Sequence, residues 1–290
     1  MHVPVMLGEC LEYLALKPDG IYLDATAGLG GHTGAIAERL SSGVVWSCDR
    51  DAESLDRARA NTEASSSRIR FLKASFSKLE EALAAEKVSQ LDGLLADLGV
   101  SKYQLTDGER GFSLMAEGPL DMRMDRDAGG SRRPTAADLV NYQSEKELAD
   151  LIYKFGEERR SRKIARAIVR ARPIHTTGQL AKLIERVAPR TGKLHPATQT
   201  FMALRIAVNE EMEELEALLD QIPRLLKPGG RAVILTFMSL EDRKVKQGFQ
   251  AMARSGVVTI LTRHVVRPSE SEISSNPPSR SAKLRAVQRV

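Results

Sequence analysis

The stretch Ile21-Tyr22-Leu23-Asp24-Ala25-Thr26-Ala27-Gly28-Leu29-Gly30-Gly31-His32 decides the fold. Ile21–Asp24 is a short apolar run that predicts a buried strand. The glycines after it predict a tight turn, and residues from about Gly34 to Leu40 have the pattern of the following helix. A strand, a glycine-rich turn and a helix place a ligand at the carboxyl end of a parallel sheet. The turn alone leaves the ligand open, because dinucleotide enzymes use one as well. Their spacing, G-x-G-x-x-G, fails here: counted from Gly28 and Gly30, the third position is Thr33, and Gly34 comes one residue late.

Asp24 narrows the choice. A carboxylate four residues before Gly28 repels a pyrophosphate and attracts a ligand carrying positive charge. S-adenosylmethionine has no phosphate, and it bears a sulfonium and an ammonium. Asp49, at the end of the next predicted strand, is placed to accept hydrogen bonds from ribose hydroxyls. Each aspartate read singly is also a plain cap, of the turn or of the next helix. Read together with the glycines, they make S-adenosylmethionine the expected cofactor. Asp97 ends a fourth strand, where it would either hold an amino nucleophile or touch the cofactor.

Outward from this segment the pattern repeats. Val44–Cys48, Ile69–Leu72 and Leu91–Leu98 read as strands, and Ala52–Ala60 as a helix between the first two. Alternation of this kind predicts an α/β fold with a parallel sheet. Residues 105–135 then read as loop. A capping box at Ser144-x-x-Glu147 opens a run of amphipathic helices: Leu148, Leu151, Ile152 and Phe155, then Ile164 and Ile168, then Leu180, Leu183, Ile184 and Val187. This middle third reads as a helical insertion. One long helix from about Ala197 to Leu219 leads back to the sheet. Pro228-Gly229-Gly230 reads as a turn, Ala232–Phe237 as a buried strand, and Ser269–Ser281 as a loop-like tail. The expected domains are residues 1–110 with 205–290, and the insertion 111–204.

The chain has 290 residues, 42% of them apolar, which suffices for a large core. Its net charge of +5 leans toward an anionic partner. Basic residues cluster at Arg159, Arg160, Arg162, Lys163, Arg166, Arg170 and Arg172, and again at Arg280, Lys283, Arg285 and Arg289. Both clusters suit phosphates, and both are equally readable as solvated faces. Cys10 and Cys48 lack metal or disulfide spacing, and His2, His175, His195 and His264 show no metal spacing either. No apolar run approaches the roughly 20 residues of a membrane span, and no signal peptide is visible, so a cytoplasmic protein without a metal is expected.

Further blocks make the chain similar to one family along nearly its whole length. They are H-V-P-V-M at 2–6, D-A-T-A-G-L-G-G-H at 24–32, D-L-G-V-S at 97–101 with Gln104, and R-G-F-S at 110–113. G-P-L-D-M-R-M-D follows at 118–125, then G-E-E-R at 156–159, K-I-A-R-A-I-V at 163–169 and H-P-A-T at 195–198. A-L-R-I-A-V-N at 203–209, S-L-E-D-R at 239–243 and R-S-A-K-L-R at 280–285 complete the set. The chain resembles the bacterial ribosomal RNA small subunit methyltransferase H family, enzymes that methylate N4 of a cytidine. The resemblance implies a class I (Rossmann-like) S-adenosylmethionine-dependent methyltransferase sheet with an inserted helical domain. It implies as acceptor a cytidine in the decoding region of 16S rRNA in the small ribosomal subunit. It also implies cofactor contacts at Gly30, Gly31, His32, Asp49, Phe76, Asp97 and Gln104, beside Asp24. Candidate acceptors for the amine proton are Asp97 first, then Asp121, Asp125, Asn209 and Asp242. An ion-pair network that orders the loop is an equal reading of Asp121, Arg123 and Asp125. Candidate RNA contacts are Arg166, Arg170, Arg205, Arg280, Lys283 and Arg285.

The chain departs from the family pattern where F-Q-A-L-R becomes Phe201-Met202-Ala203-Leu204-Arg205, and where F-H-S-L-E-D-R becomes Phe237-Met238-Ser239-Leu240-Glu241-Asp242-Arg243. S-S-P-Q becomes Ser101-Lys102-Tyr103-Gln104. Two polar side chains are thereby replaced by methionine. Met202 and Met238 are the sequence support for another class, an RNA-binding or ribosome-assembly protein that keeps the fold with weak catalysis. A Rossmann oxidoreductase is the remaining alternative, opposed by Asp24 and the missing third glycine.

Overall fold

The computed structural model describes residues 4–126, 133–188, 190 and 195–290. His2 and Val3 of the first family block lie outside them, as does part of the expected 105–135 loop. The chain divides into two compact units, Met1–Gly99 with Met212–Val290, and Val100–Glu211. The division falls after residue 99 and before 212, where the sequence expectation placed it after 110 and before 205.

The first unit is built on seven strands: β1 Ile21–Asp24, β2 Val44–Asp49, β3 Ile69–Lys73, β4 Leu91–Asp97, β5 Leu226–Thr236, β6 Val258–Ile260 and β7 Lys283–Arg289. Their order is β3-β2-β1-β4-β5-β7-β6. β1 to β5 run parallel, and β7 is antiparallel to both β5 and β6. This is the class I, Rossmann-like methyltransferase arrangement. Successive crossovers run outward in opposite directions from β1 and β4, so the two central strands form the topological switch point at which such sheets bind ligands. The central strands are buried on both faces, as their continuous apolar runs predict. Tyr22, Leu95, Val233 and Leu284 share a core with Met6 and with Leu14 and Ile36 from the flanking helices.

Three expectations for this unit are corrected. The basic C-terminal tail is a sheet strand: Lys283–Arg289 alternates buried and half-buried positions between β5 and β6. Its basic residues mask the apolar pair Leu284 and Ala286 on one face of the strand and Val287 on the other. The segment 269–281 is not loop throughout, since it holds a helix at Glu270–Ser275 and a 3-10 turn at Pro277–Ser281. Pro228-Gly229-Gly230, expected as a turn ahead of the strand, lies inside β5. It forms an irregularity within β5, where the register jumps from Leu91↔Leu226 to Gly93↔Arg231.

The second unit is helical, with helices at Lys102–Thr106, Ala136–Tyr142, Glu145–Gly156, Ser161–Ala171, Thr177–Val187 and Thr198–Asn209. The apolar stripes read from the sequence converge on one core, in which Leu148, Ile152, Ile164, Ile168, Leu180, Ile184, Phe201 and Leu204 are buried. Ser144 forms its expected capping box with Glu147, and Thr135 with Asp138 and Thr176 with Gln179 form two more. The long helix expected over 197–219 is two helices, Thr198–Asn209 and Glu211–Leu225. Glu210 sits between them in the left-handed region at φ 51°. Apolar periodicity continues across the break, so it left no mark in the pattern.

Candidate active site

Sheet register brings the predicted acidic residues to one edge. Asp24 pairs with Ser47 on β2 and with Leu95 on β4. Asp49 and Asp97 each stand two residues beyond those partners, at the carboxyl ends of the strands flanking β1, on the same side of the pleat as the residues paired with Asp24. Asp24 is fully buried. Its Oδ1 accepts from Thr26 N–H (3.1 Å), and its Oδ2 accepts from the Thr33 hydroxyl (2.7 Å). Asp49 Oδ2 accepts from Gly28 N–H (3.0 Å) and Oδ1 from Asp51 N–H (3.0 Å). Asp24 therefore ties the turn to the following helix, and Asp49 ties β2 to the glycine loop.

The loop allows little freedom. Gly30 has φ 83°, and a Cβ there would stand 2.8 Å from Thr62 Cγ2 and 3.1 Å from the Ala58 carbonyl oxygen. Only glycine fits both conditions. Asn61 Nδ2 donates to Leu29 O (2.9 Å) and holds the crest of the loop. His32 is buried. Its Nε2 lies 3.0 Å from Val5 O, which makes Nε2 the donor, and its Nδ1 lies 3.8 Å from Asp97 Oδ2.

Asp97 is the open group. Its backbone N–H donates to Thr26 Oγ1 (2.7 Å), yet its buried Oδ1 has no hydrogen-bond partner among the described residues. The side chain as a whole is one quarter exposed. A buried acceptor with an open side is the mark of a ligand contact. Burial pushes the Asp97 carboxyl up to about 8, and Asp24 and Glu241 push in the same direction. Burial raises Asp24 to about 7 against its hydrogen bonds to Thr33 and Thr26, with Asp49 adding repulsion. Burial likewise raises Asp49 to about 6, against hydrogen bonds from Asp51 and Gly28. Three carboxyls with elevated pKa values on one sheet edge form a site that a cation would complete. The residues thus fit a ligand with a sulfonium and an ammonium. Among the described residues, no three His, Cys, Asp or Glu side chains converge as a metal site.

Phe76 is half-buried in a short 3-10 turn, Phe76–Lys78. Two residues that sequence reasoning missed hold that turn. Glu214 accepts from Ser77 N–H (2.8 Å) and Ser77 Oγ–H (3.0 Å). Gln221 donates to Phe76 O (2.8 Å) and accepts from Glu80 N–H (2.9 Å). They stand seven residues apart on one helix face, and their burial amid apolar neighbours was the available signal.

Asp242 is engaged elsewhere in this unit. Arg285 donates to it through Nε (2.6 Å) and Nη2 (3.3 Å), and Lys283 Nζ lies 3.6 Å away. The side chains of Asp242, Arg285 and Lys283 are all at least four-fifths buried. This cluster pins the helix Ser239–Arg254 to β7, and it holds the Asp242 carboxyl below the usual range. Lys283 and Arg285 are therefore committed to a carboxylate, whereas Arg280 is exposed.

Within the second unit, Asn209 and Asp121 meet at one loop. Asn209 Oδ1 accepts from Met124 N–H (2.8 Å), and Nδ2 donates to Met122 O (2.8 Å) and Arg205 O (2.9 Å). Asp121 forms a bidentate pair with Arg123 (2.7 and 3.0 Å), with Arg126 Nε at 3.4 Å. Arg205 forms another with Glu211 (2.8 and 2.8 Å). These groups order the 118–125 block, and the ion-pair reading of Asp121 and Arg123 accounts for their geometry. Gln104 closes a capping box on Ser101, with Oε1 accepting from Ser101 N–H (3.0 Å). Arg166 and Arg170 are exposed on the helix Ser161–Ala171, where Arg166 Nε lies 3.2 Å from Glu145.

Known proteins match this chain along its whole length. The model of the MraW methylase family matches residues 1–290. A protein of Solibacter usitatus named ribosomal RNA small subunit methyltransferase H is 59% identical over 288 residues, with 99% of both chains covered. Proteins of the same name from Acidobacterium capsulatum and Koribacter versatilis are 47% and 48% identical, covering 99% of this chain and 98% and 94% of theirs.

Proposed function

The chain belongs to the MraW methylase family, and from that premise we propose that it methylates ribosomal RNA of the small subunit, using S-adenosylmethionine. The relatives' shared name supports the substrate, and the quoted sequence blocks support the finer reading, N4 of a cytidine in the decoding region of 16S rRNA. Asp97 carries the chemical part of the proposal: a carboxyl at the switch point, with one oxygen lacking a partner among the described residues.

S-adenosylmethionine, when bound, supplies an electrophilic methyl group on a positively charged sulfur. Asp24 favours that charge by proximity. Gly30, Gly31 and Asp49 shape the wall of the site, and Phe76 offers an aromatic face for the adenine. The N4 lone pair of cytosine is delocalised into its ring, so orientation is the main service the protein renders. Asp97 accepts a hydrogen bond from the amino group and turns its lone pair toward the methyl carbon. As the carbon–nitrogen bond forms and the carbon–sulfur bond breaks, the surplus N–H proton passes to Asp97 or to water. The positive charge of a bound cofactor favours the ionised form of Asp97, the form that accepts a proton. The target base has to be unpaired or flipped from its helix. An rRNA substrate implies a cytoplasmic protein, and among the described residues no helix is long and apolar enough to cross a membrane.

The test is transfer of labelled methyl from S-adenosylmethionine to small subunits lacking the modification, with the product nucleotide mapped. Label at cytidine N4 is expected. RNA binding without transfer would replace the enzyme with an assembly protein, and label on another base would correct the acceptor. Asp97→Asn should lower the rate by about 10²–10⁴-fold.

A further inference from the structure

The segment Pro4–Met6 lies against the glycine loop and is latched from the far end of the chain. A Cβ on Gly31 would stand 2.5 Å from Pro4 Cγ, so the proline ring rests on that glycine. The next residue, Val5, offers its carbonyl to His32 Nε2 at 3.0 Å. Met6 is fully buried and left-handed at φ 50°, a conformation that non-glycine residues rarely adopt. Its N–H donates to Glu272 Oε1 at 2.6 Å, across 266 residues of sequence. Glu272 is held in turn by Ser269, whose Oγ accepts from Glu272 N–H at 3.2 Å.

These contacts form one mechanical chain. Glu272 fixes the unusual backbone at Met6, and that backbone aims the Val5 carbonyl. The carbonyl accepts from Nε2 and so holds the ring, with Nδ1 facing Asp97 Oδ2 at 3.8 Å, beyond hydrogen-bond distance. We propose that Glu272 is a positioning residue, which sets the orientation of the His32 ring beside the Asp97 carboxylate through the Pro4–Met6 strap. The proposal rests on the cofactor reading above only for its consequence, since the relay itself belongs to the free protein.

Two substitutions separate positioning from plain anchoring. Glu272→Gln keeps an oxygen acceptor for Met6 N–H, and Glu272→Ala removes it. Side-chain nitrogen spectra of the free protein report the His32 ring, assigned by His32→Asn. Calorimetry reports affinity for S-adenosylhomocysteine. Glu272→Ala should shift the His32 ring signals and weaken S-adenosylhomocysteine by about tenfold, within the usual range of coupling between separate groups. Glu272→Gln should stay within about twofold of wild type. A lower melting temperature in Glu272→Ala, with His32 signals and affinity unmoved, would overturn the proposal and leave Glu272 as a fold anchor. Should Glu272→Ala not fold, Gly31→Ala pushes on the same strap through Pro4, and unchanged His32 signals there overturn the proposal equally. If the wild-type protein fails to bind S-adenosylhomocysteine, the cofactor reading falls, while the His32 signals still decide the relay.

Discussion

Asp24, Asp49 and Asp97 sit near 7, 6 and 8, well above the usual carboxylate range near 4. Their folded-state values are raised, so each binds a proton more tightly in the folded chain than in the unfolded one. Their contribution to stability is present below the unfolded pKa and is lost as pH rises through about 6 to 8. A cationic ligand acts the other way, since it favours the ionised carboxyls. Affinity for S-adenosylmethionine should therefore tighten between pH 6 and pH 8, with protons released on binding. Calorimetry in buffers of different ionisation enthalpy checks both, and proton uptake or a flat profile would refute the reading. The glycines allow a paired comparison. Gly30→Ala meets Thr62 and Ala58 at φ 83° and should cost about 1–3 kcal/mol, with loss of cofactor binding. Gly8→Ala, in the helix Leu7–Leu14 with nothing within 4 Å, should add about 0.5–1 kcal/mol. Denaturant midpoints read both changes. The positions of Asp24 and Asp49 were legible because each ends a strand of a parallel sheet, where side chains face the ligand crevice. The roles of Asn209 and Arg205 were not, because residue type does not say which backbone or carboxylate will claim the side chain.

At the scale of elements, β7 shows where local pattern stops being informative. Lys283, Arg285, Gln288 and Arg289 make the segment look like a solvated basic tail, and its burial follows only from the sheet on either side. Asp242 completes that logic by pairing with Arg285 and Lys283 within the fold. Arg285→Ala leaves Asp242 buried with one weaker partner, and should cost about 2–3 kcal/mol. The pH signature follows from the depressed Asp242 pKa. Its stabilisation is present above the unfolded carboxylate range and is lost as pH falls through the folded value. The variant should therefore lose part of the wild-type acid sensitivity, a difference that thermal melts from pH 7 down to pH 3 would display. Equal acid slopes would mean the pair contributes nothing. Ser144 is the opposite case, since a capping box spanning four residues is written entirely in local sequence and was found there. The break at Glu210 went unread because the apolar rows continue through it, while the partners that hold Asn209 just before it, Met122 and Met124, lie 85 or more residues away.

For the whole molecule, charge is distributed by unit. The three buried carboxylates Asp24, Asp49 and Asp97 belong to Met1–Gly99, whereas the most basic helix, Ser161–Ala171, belongs to Val100–Glu211. That helix buries Ile164, Ala165 and Ile168 and turns Arg162, Lys163, Arg166 and Arg170 outward. Its opposite faces follow from the period of 3.6 alone, which is why this surface was readable when the tail was not. Arg166 shares its charge with Glu145, but both side chains remain about half exposed, and such pairs yield readily to a stronger anion. The double variant Arg166→Glu, Arg170→Glu reverses two charges on this face without touching the core of its unit. If the face holds phosphates, RNA affinity should fall, and the slope of log affinity against log salt should flatten by roughly 0.7 for each single-strand phosphate that the variant no longer neutralises. Affinity for S-adenosylhomocysteine should stay at the wild-type value, because the site carboxylates and glycines belong to the other unit. Filter binding across a salt series, alongside calorimetry, separates the two effects. An unchanged salt slope would return Arg166 and Arg170 to an ordinary solvated face. Arg280, exposed beside β7, would then be the remaining member of the predicted RNA contacts still open to solvent.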